Sequence, residues 1–303
     1  MKIGFCFAGQ GSQFKGMGQD FYNELPLVKE IYDKFPEIRD LCFNDEKDLI
    51  NQTAYAQKAM LLTGYAISQA IKNEGITPEY ACGLSLGEYT ALAYANTWNI
   101  EDAISIITYR GELMQNALPL GTTKMAAVIG MSREDILNVI TKVNGICEIA
   151  NYNCPGQIVI TGDNEGVNNA MAALTEAGCK RVIELNVSGA FHSSLLHDAS
   201  LKLRSKLDEY TPNNPNVKII YNISGHEENG NINEILEKQI CHSVYFEDSI
   251  RYMLSNGVDT FVEIGPGKAL SGFIKRIDRS AKIYNVSDIE GYKVLLQDLK
   301  NND

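Results

Sequence analysis

The fold is indicated most directly by residues 80–89, which have the sequence YACGLSLGEY. Residues 80–84 predict a short buried strand, and residues 87–95 predict a helix directly after it. Between them lies GLSLG (residues 83–87), the G-x-S-x-G pattern of a nucleophile elbow. Small residues on either side let strand and helix approach, and the serine oxygen projects above the sheet. Ser85 is therefore the candidate nucleophile, although the pattern also occurs by chance in loops.

Outward from the elbow, predicted strands and helices alternate along the chain. Residues 2–8, which contain an apolar run at 3–8, predict a buried first strand that ends in a Gly-rich turn. The further predicted elements are helices at 20–35 and 54–74 and buried strands at 217–222 and 258–264. Such alternation favours a parallel sheet covered by helices on both faces. We therefore expect an α/β fold whose large subdomain is α/β-hydrolase-like around the elbow.

The middle of the chain has a different order of elements. Strands are predicted at 124–130, 147–153, 157–163 and 180–186, and helices at 133–143 and 164–178. The order β-α-β-β-α-β is the ferredoxin-like arrangement. We therefore expect a small ferredoxin-like subdomain at residues 122–190, inserted into a discontinuous large subdomain of residues 1–121 and 191–303.

Composition and charge exclude several classes of protein. The 303 residues are 45% hydrophobic and 21% charged, as in folded globular proteins. A net charge of −11 argues against nucleic acid or an anionic membrane as partner. No apolar run approaches the roughly 18 residues of a membrane span, and residues 3–8 are too few for a secretory signal peptide. Seven cysteines without a C-x-x-C pair and only four histidines predict reduced thiols, a cytoplasmic location and no metal site.

Two glycine-rich turns invite a nucleotide-binding interpretation, which their spacing excludes. After Gly9 and Gly11, position 14 is Phe where G-x-G-x-x-G requires Gly. Before Gly267-Lys268, position 262 is Val where a P-loop requires Gly. The first turn can still present backbone amides to a developing anion.

A serine nucleophile needs a base, and His192 is the best placed of the four histidines. It follows the last predicted strand of the inserted subdomain, where the returning chain can place a side chain in the cleft between subdomains. His226 lies in a polar loop, and His197 and His242 are expected at the surface or behind the site. His192 is therefore the candidate general base.

Six motifs, in order, resemble those of the malonyl-CoA:acyl carrier protein transacylases of fatty acid synthesis, whose fold also carries the acyltransferase domains of polyketide synthases. The resemblance covers the whole chain. The motifs are FAGQGSQ (residues 7–13), GLSLGEY (83–89), YRG (109–111), NCPGQ (153–157), GAFH (189–192) and EIGPG (263–267).

The resemblance implies a ping-pong transfer of malonyl from malonyl-CoA to the phosphopantetheine thiol of acyl carrier protein, through an ester on Ser85 and with His192 as base. It implies that the backbone amides of Gln10 and Leu86 hold the oxyanion and that the carbonyl of Tyr245 orients the histidine. The substrate-binding residues that it implies are Arg110, Met114, Asn153 and Phe191. No tightly bound cofactor is expected, because malonyl-CoA is a substrate.

Three positions depart from the family pattern. Ala8 replaces the usual Pro, Leu84 replaces the usual His before the nucleophile, and Tyr245 stands where Gln is frequent. None of them supplies a catalytic side chain in this mechanism, so activity is still expected. Leu84 changes the polarity of the pocket and leaves the strictness of extender choice open. Phe191 is expected to fill the space that a 2-methyl branch needs, which favours malonyl over methylmalonyl.

Other functions stay open at this point. A G-x-S-x-G hydrolase or thioesterase would use water in place of the carrier thiol, with an acidic third member between Ser85 and His192. A non-catalytic module that only docks an acyl carrier or nucleotide is disfavoured by the intact serine and histidine. Arg110 distinguishes malonyl transfer from hydrolysis of a neutral acyl chain, since a guanidinium binds a malonyl carboxylate and has no partner on a neutral chain. A trans-acting acyltransferase of a polyketide pathway is also possible, and the absence of fused domains favours fatty acid synthesis.

The expected carrier is acidic, by the same resemblance, so its docking site should gather positive charge. Residues 268–282 predict a helix with Lys268, Lys275, Arg279 and Lys282 on a roughly common outer face. We expect the carrier to dock there, although an ordinary solvated helix face has the same pattern. The oligomeric state does not follow from the sequence, and a monomer is favoured.

Overall fold

The structure, a computed structural model, describes residues 1–187 and 189–300. The strands are β1 Ile3–Phe7, β2 Tyr80–Gly83, β3 Thr123–Ile129, β4 Cys147–Cys154, β5 Gln157–Asp163, β6 Arg181–Glu184, β7 Lys218–Ile219, β8 Thr260–Ile264 and β9 Lys282–Val286. The helices are α1 Gln19–Glu24, α2 Pro26–Asp33, α3 Pro36–Phe43, α4 Thr53–Asn73, α5 Leu86–Tyr94, α6 Ile100–Asn116, α7 Arg133–Ile140, α8 Asn164–Glu176, α9 His197–Leu207, α10 Ile232–Gln239, α11 Phe246–Ser255, α12 Ala269–Ile277 and α13 Ile289–Lys300. None of these helices combines the length and the apolar character needed to cross a membrane.

The larger sheet is parallel and brings three strand ends to one edge. Its order is β7-β2-β1-β8-β9, with the fully buried β1 at the centre. Phe7, the last residue of β1, is paired with Gly83 of β2 on one side and with Ile264 of β8 on the other. The loops that follow these three strands therefore meet, and such an edge is where parallel sheets form their ligand sites.

Helices cover both faces of this sheet. Successive side chains of β1 point to opposite faces, so they enter two different cores. Phe5 and Phe7 belong to the core formed with α4, α5 and α6, whereas Cys6 belongs to the core formed with α11 and α12. The predicted α/β fold with a parallel sheet and a strand-turn-helix elbow is thus confirmed.

The smaller sheet is antiparallel, with the order β4-β5-β3-β6, and α7 and α8 share its core. This order and the β-α-β-β-α-β sequence of elements are those of the predicted ferredoxin-like arrangement. The segment between α10 and α11 pairs with β4 of the smaller sheet through Val244, whose amide donates to the Ala150 carbonyl and whose carbonyl accepts from the Tyr152 amide, both at 2.8 Å. The predicted subdomain boundaries stay a prediction, and they include residues 188 and 301–303, which lie outside the described residues.

Several predicted elements need correction. The helix predicted at 20–35 is two helices, because the extended Leu25 precedes Pro26, the first residue of α2. The strand predicted at 217–222 contracts to the two residues of β7. The helix predicted at 133–143 ends at Ile140.

The helix predicted at 268–282 is also wrong in extent, since α12 ends at Ile277. Asp278 is extended, and its carboxylate accepts from the amide and the hydroxyl of Ser280 at 2.7 and 2.6 Å, which makes a turn. Arg279 lies in this turn and Lys282 begins β9. The four basic residues therefore do not share one helical face.

Candidate active site

The elbow places Ser85 in a strained conformation above the large sheet. Its φ of 55° and ψ of −105° are rare for a residue with a side chain. Glycine is required on both sides of Ser85, because other backbone atoms lie too close for a Cβ. A Cβ on Gly83 would lie 2.0 Å from the carbonyl carbon of Gly87, and one on Gly87 would lie 2.2 Å from the oxygen of Phe7. The turn is as tight as the sequence predicts, and it aims the Ser85 hydroxyl out of the backbone.

The predicted base meets the predicted nucleophile. His192 is buried, has a φ of 58°, and places its Nε2 2.7 Å from the Ser85 Oγ. The backbone amide of His192 donates to the Ile240 carbonyl at 3.1 Å, which ties the returning chain to the end of α10. His197, His226 and His242 are exposed, in keeping with their expected absence from the reacting pair.

The tautomer of His192 follows from its second hydrogen bond. Its Nδ1 lies 2.8 Å from the carbonyl oxygen of Gln239, an atom that can only accept, so Nδ1 carries the proton and Nε2 is free to accept from Ser85. Burial, assisted by the positive charge of Arg110, lowers the pKa of His192 to about 4. The imidazole is therefore neutral near pH 7, the form in which a general base acts.

The predicted orienting role of Tyr245 is wrong, because the carbonyl that orients the base belongs to Gln239. Tyr245 instead donates its backbone amide to the Asn222 carbonyl at 2.8 Å and stacks its ring on Tyr152. The resemblance places the family's glutamine at position 245, whereas the glutamine whose carbonyl orients the base in this chain, Gln239, lies six residues earlier.

Arg110 lies beside the nucleophile and is completely buried. Its Nη2 donates to the Ser85 Oγ at 3.2 Å and to the Gln239 Oε1 at 3.0 Å, and its Nη1 donates to the Gln57 Oε1 at 2.7 Å. The guanidinium also lies 5.0 Å from the ring centroid of Tyr89. Among the described residues none of the ion pairs involves Arg110, so its hydrogen-bond acceptors here are neutral.

The Gly-rich turn after β1 packs directly against the elbow. A Cβ on Gly9 would lie 2.5 Å from the Leu84 carbonyl oxygen, so only glycine allows this approach. Gln10 follows and lines the cavity beside Ser85. Leu86 is the first residue of α5, where backbone amides lack intrahelical acceptors and the helix dipole favours an anion. The predicted oxyanion donors thus flank the nucleophile, and their role stays a prediction.

A cavity of about 410 Å³ opens over Ser85 and His192. Met114, Asn153 and Phe191 line it, as predicted for substrate-binding residues. Asn153 is buried, and its Oδ1 has no hydrogen-bond partner among the described residues. The apolar lining residues that the predictions missed include Met125, Val159 and Leu185. They lie on strands β3 and β5 and after β6, and only the register of the smaller sheet brings them together.

Comparison with known proteins places this geometry in a family. The acyl transferase domain family model matches residues 4–295. The malonyl CoA-acyl carrier protein transacylase of Bacillus subtilis strain 168 is 41% identical over all of this chain and 98% of its own length. The crystal structure of malonyl CoA-acyl carrier protein transacylase from Clostridium perfringens ATCC 13124 superimposes with a TM-score of 0.97 at 40% identity, covering 99% of this chain and 98% of that one. A complex of a type II PKS acyl-carrier protein with its malonyl-transacylase matches at 31% identity and a TM-score of 0.95, over 98% of this chain and 100% of that one. The chain therefore belongs to the acyl transferase domain family.

Proposed function

We propose that the protein transfers a malonyl group from malonyl-CoA to the phosphopantetheine thiol of an acyl carrier protein, through an ester on Ser85. Arg110 is the observation that carries this proposal, because it is a buried guanidinium whose hydrogen-bond acceptors are all neutral, and the attraction of buried Glu88, whose pKa burial raises to about 7, offsets this cost only in part. An acyl group that bears its own carboxylate supplies the missing partner beside the nucleophile. The names of the Bacillus and Clostridium relatives support the same substrate.

In the first half-reaction the Ser85 Oγ attacks the thioester carbonyl while the His192 Nε2 accepts the hydroxyl proton. We propose the backbone amides of Gln10 and Leu86 as donors to the resulting oxyanion. When the tetrahedral intermediate collapses, the C–S bond breaks, His192 returns the proton to the coenzyme A thiolate, and the malonyl-serine ester remains. The carrier thiol then attacks this ester with the same groups assisting, which gives ping-pong kinetics.

The substrate contacts are proposed from the cavity lining. Met114 and Phe191 form an apolar wall beside the acyl group. The Oδ1 of Asn153 is suited to accept a hydrogen bond from an amide of the pantetheine arm, since it is buried and lacks a partner among the described residues. Arg110 pairs with the malonyl carboxylate.

A G-x-S-x-G hydrolase is the alternative that this geometry disfavours. A Ser-His-acid triad needs a carboxylate at the Nδ1 of the base, and in this chain the Nδ1 of His192 donates to a backbone carbonyl. The polyketide alternative uses the same chemistry, as the matched type II PKS complex illustrates, and differs only in the carrier. We propose fatty acid synthesis as the pathway.

We propose that the acidic carrier docks on the basic surface that contains Lys268, Lys275, Arg279 and Lys282. Lys268 and Lys275 border the same shallow depression beside α12. Lys275 also donates its Nζ to the Arg279 carbonyl at 2.6 Å, which holds the turn after the helix. This surface can therefore still complement the charge of an acidic carrier, although its basic residues come from a helix, a turn and a strand.

We also propose a cytoplasmic location, a monomeric protein and no tightly bound cofactor. All seven cysteines are free, which suits a reducing compartment. Ser85 and His192 supply both nucleophile and base, so the reaction needs no prosthetic group. Cell fractionation, sedimentation velocity and activity after dialysis against a chelator test these three points.

The experiment that tests the proposed function follows the fate of the malonyl group. The protein is incubated with malonyl-CoA and a phosphopantetheinylated carrier from fatty acid synthesis, and the carrier mass and free malonate are both measured. We expect the carrier to gain one malonyl group, with little free malonate, and Ser85→Ala to abolish the gain. Free malonate as the main product would support the hydrolase and overturn the proposal.

A further inference from the structure

The elbow contains a helix-capping signature whose members do not cap each other. Ser85 is the N-cap of α5 and Glu88 stands three residues later, the S-x-x-E pattern of a capping box. In that motif the Glu carboxylate accepts from the N-cap amide. Here the Ser85 side chain turns toward His192 instead, and the Ser85 amide donates elsewhere. The strained turn must therefore be held from outside the helix.

Asn222, in the segment after β7, does this with its side chain. It is completely buried, and its Oδ1 accepts from the Ser85 amide at 2.8 Å. Its Nδ2 donates to the Gly83 carbonyl at 2.7 Å. One amide group thus binds the backbone on both sides of Leu84. The donor at Ser85 and the acceptor at Gly83 also fix which way this amide is oriented.

The backbone of Asn222 is anchored in turn. Its amide donates to the Glu88 Oε2 at 2.8 Å, and its carbonyl accepts from the Tyr245 amide at 2.8 Å. Glu88 is completely buried and belongs to the helix that Ser85 begins. The contacts therefore close a ring from Ser85 through α5 to Glu88, then to Asn222 and back to Ser85.

We propose that Asn222 is a positioning residue that keeps the nucleophile in its strained, reactive conformation, and that Glu88 anchors Asn222. The two shortest contacts of the Asn222 side chain are with the backbone of the turn, and Glu88 accepts from the Asn222 amide, so both act through the Ser85 backbone. A residue with a side chain at a φ of 55° persists only where the surroundings over-determine it. The proposal rests on the proposed function only in taking Ser85 as the nucleophile.

The test measures single-turnover acylation of Ser85 by malonyl-CoA, over a range of concentrations. Asn222→Ala should lower the limiting rate about 10- to 100-fold and leave the half-saturating concentration nearly unchanged, because the cavity is intact and only the geometry of attack is lost. Glu88→Leu should lower the rate in the same way. Glu88→Gln should recover most of it, because an amide oxygen still accepts from the Asn222 amide.

Two controls separate positioning from general loss of structure. Asn233 is also buried, and it donates its Nδ2 to the Leu207 carbonyl at 3.1 Å. Asn233→Ala should lower the melting temperature without slowing acylation. In the Asn222→Ala background, Glu88→Leu should produce little further loss of rate, because the main contact of Glu88 is with Asn222 and its contact with the Gln239 Nε2 is long, at 3.4 Å.

The positioning role of Asn222 can be tested independently of the identity of the acyl substrate. Labelling of Ser85 by a fluorophosphonate, which needs no acyl substrate, should slow in parallel with acylation. If the wild-type protein takes up this probe and not malonyl-CoA, the proposed function fails, and the labelling rates still test Asn222. Folded Asn222→Ala that reacts at the wild-type rate would overturn the proposal. If Asn222→Ala does not fold, the Glu88→Leu and Glu88→Gln pair decides, and equal rates for the two would overturn it.

Discussion

At the residue scale, three side chains from distant parts of the chain meet at one oxygen atom. The Ser85 Oγ lies 2.7 Å from the His192 Nε2 and 3.2 Å from the Arg110 Nη2. In the proposed mechanism the histidine removes the serine proton and the guanidinium binds the carboxylate of the acyl group, so both roles would be carried out next to the same oxygen atom. The free acceptor on His192 exists because Gln239 fixes the tautomer through its backbone.

Removing the guanidinium should change substrate preference. Arg110→Ala is expected to lower kcat/KM for malonyl-CoA by about 100-fold or more, on the order of 3 kcal/mol, since a buried carboxylate loses its charged partner. Acetyl-CoA offers no anion, so its already slow transfer should fall much less. Rates of Ser85 acylation with the two thioesters check this. An equal loss for both would mean that Arg110 is a structural residue.

Phe191 should restrict the acyl branch. It is buried directly before the base and lines the cavity, so a 2-methyl group would compete with its ring. Phe191→Ser is expected to raise the methylmalonyl-to-malonyl ratio by about 10-fold or more, the usual worth of one methyl group in a shaped pocket. A competition assay with both coenzyme A esters measures the ratio. An unchanged ratio would refute this role.

The acid limb of the pH profile should report the lowered pKa of His192. With a pKa of about 4 the base stays unprotonated as the pH falls, so kcat/KM should hold its plateau to about pH 5. If the base had the ordinary histidine pKa, kcat/KM would already fall to half its plateau value near pH 6.5. Burial raises the pKa of Glu88 to about 7, so Glu88→Gln removes a second group that titrates in this window. If kcat/KM fell with a midpoint near pH 6.5 in both the wild-type protein and Glu88→Gln, the lowered pKa of His192 would be contradicted.

At the element scale, the elbow could be predicted from sequence because it is local. Gly83, Ser85 and Gly87 lie within five residues, and each glycine is required by an approach that the turn itself creates. Gln239 and Asn222 could not be assigned in this way, because they reach the same turn from more than 130 residues away. Their polar contacts depend on tertiary packing, which no spacing in the sequence encodes.

The basic surface beside α12 should act in the second half-reaction only. The double substitution of Lys275 and Arg279 by Glu is expected to slow transfer to the carrier, chiefly through slower and salt-sensitive association. Malonylation of Ser85 by malonyl-CoA should stay nearly normal. Separate measurement of the two half-reactions at several salt concentrations checks this. Equal loss in both would show damage to the fold or to the coenzyme A site.

At the scale of the whole molecule, two sheets of different type meet at the active site. The parallel sheet supplies the elbow, and the antiparallel sheet supplies part of the cavity wall. Arg133 of α7 donates to Asp248 of α11 at 2.7 Å and lies over the ring of Tyr152, which stacks on Tyr245. This cluster joins the layers of the two sheets and gives Tyr245 its observed place in the structure.

Fold class was predictable at this scale because hydrophobic periodicity and strand order are properties of long segments. The ferredoxin-like order and the parallel sheet are confirmed on that basis. The turn at Asp278 was not predicted, because a continuous apolar stripe hides a local turn, whereas the break at Pro26 carries a local signal, the proline itself, that the prediction from periodicity overlooked. The apolar cavity wall of Met125, Val159 and Leu185 was missed because it depends on cross-strand register.

The central claim is that Ser85, activated by His192, carries the malonyl group, and the intact mass of the protein after brief exposure to malonyl-CoA tests it most directly. The wild-type protein should gain the mass of one malonyl group, mapped to Ser85 by peptide analysis. Ser85→Ala should gain nothing, and His192→Ala should gain it about 10²- to 10⁴-fold more slowly. Malonylation that persists at another residue of Ser85→Ala, or turnover by wild-type protein without any covalent gain, would contradict the account.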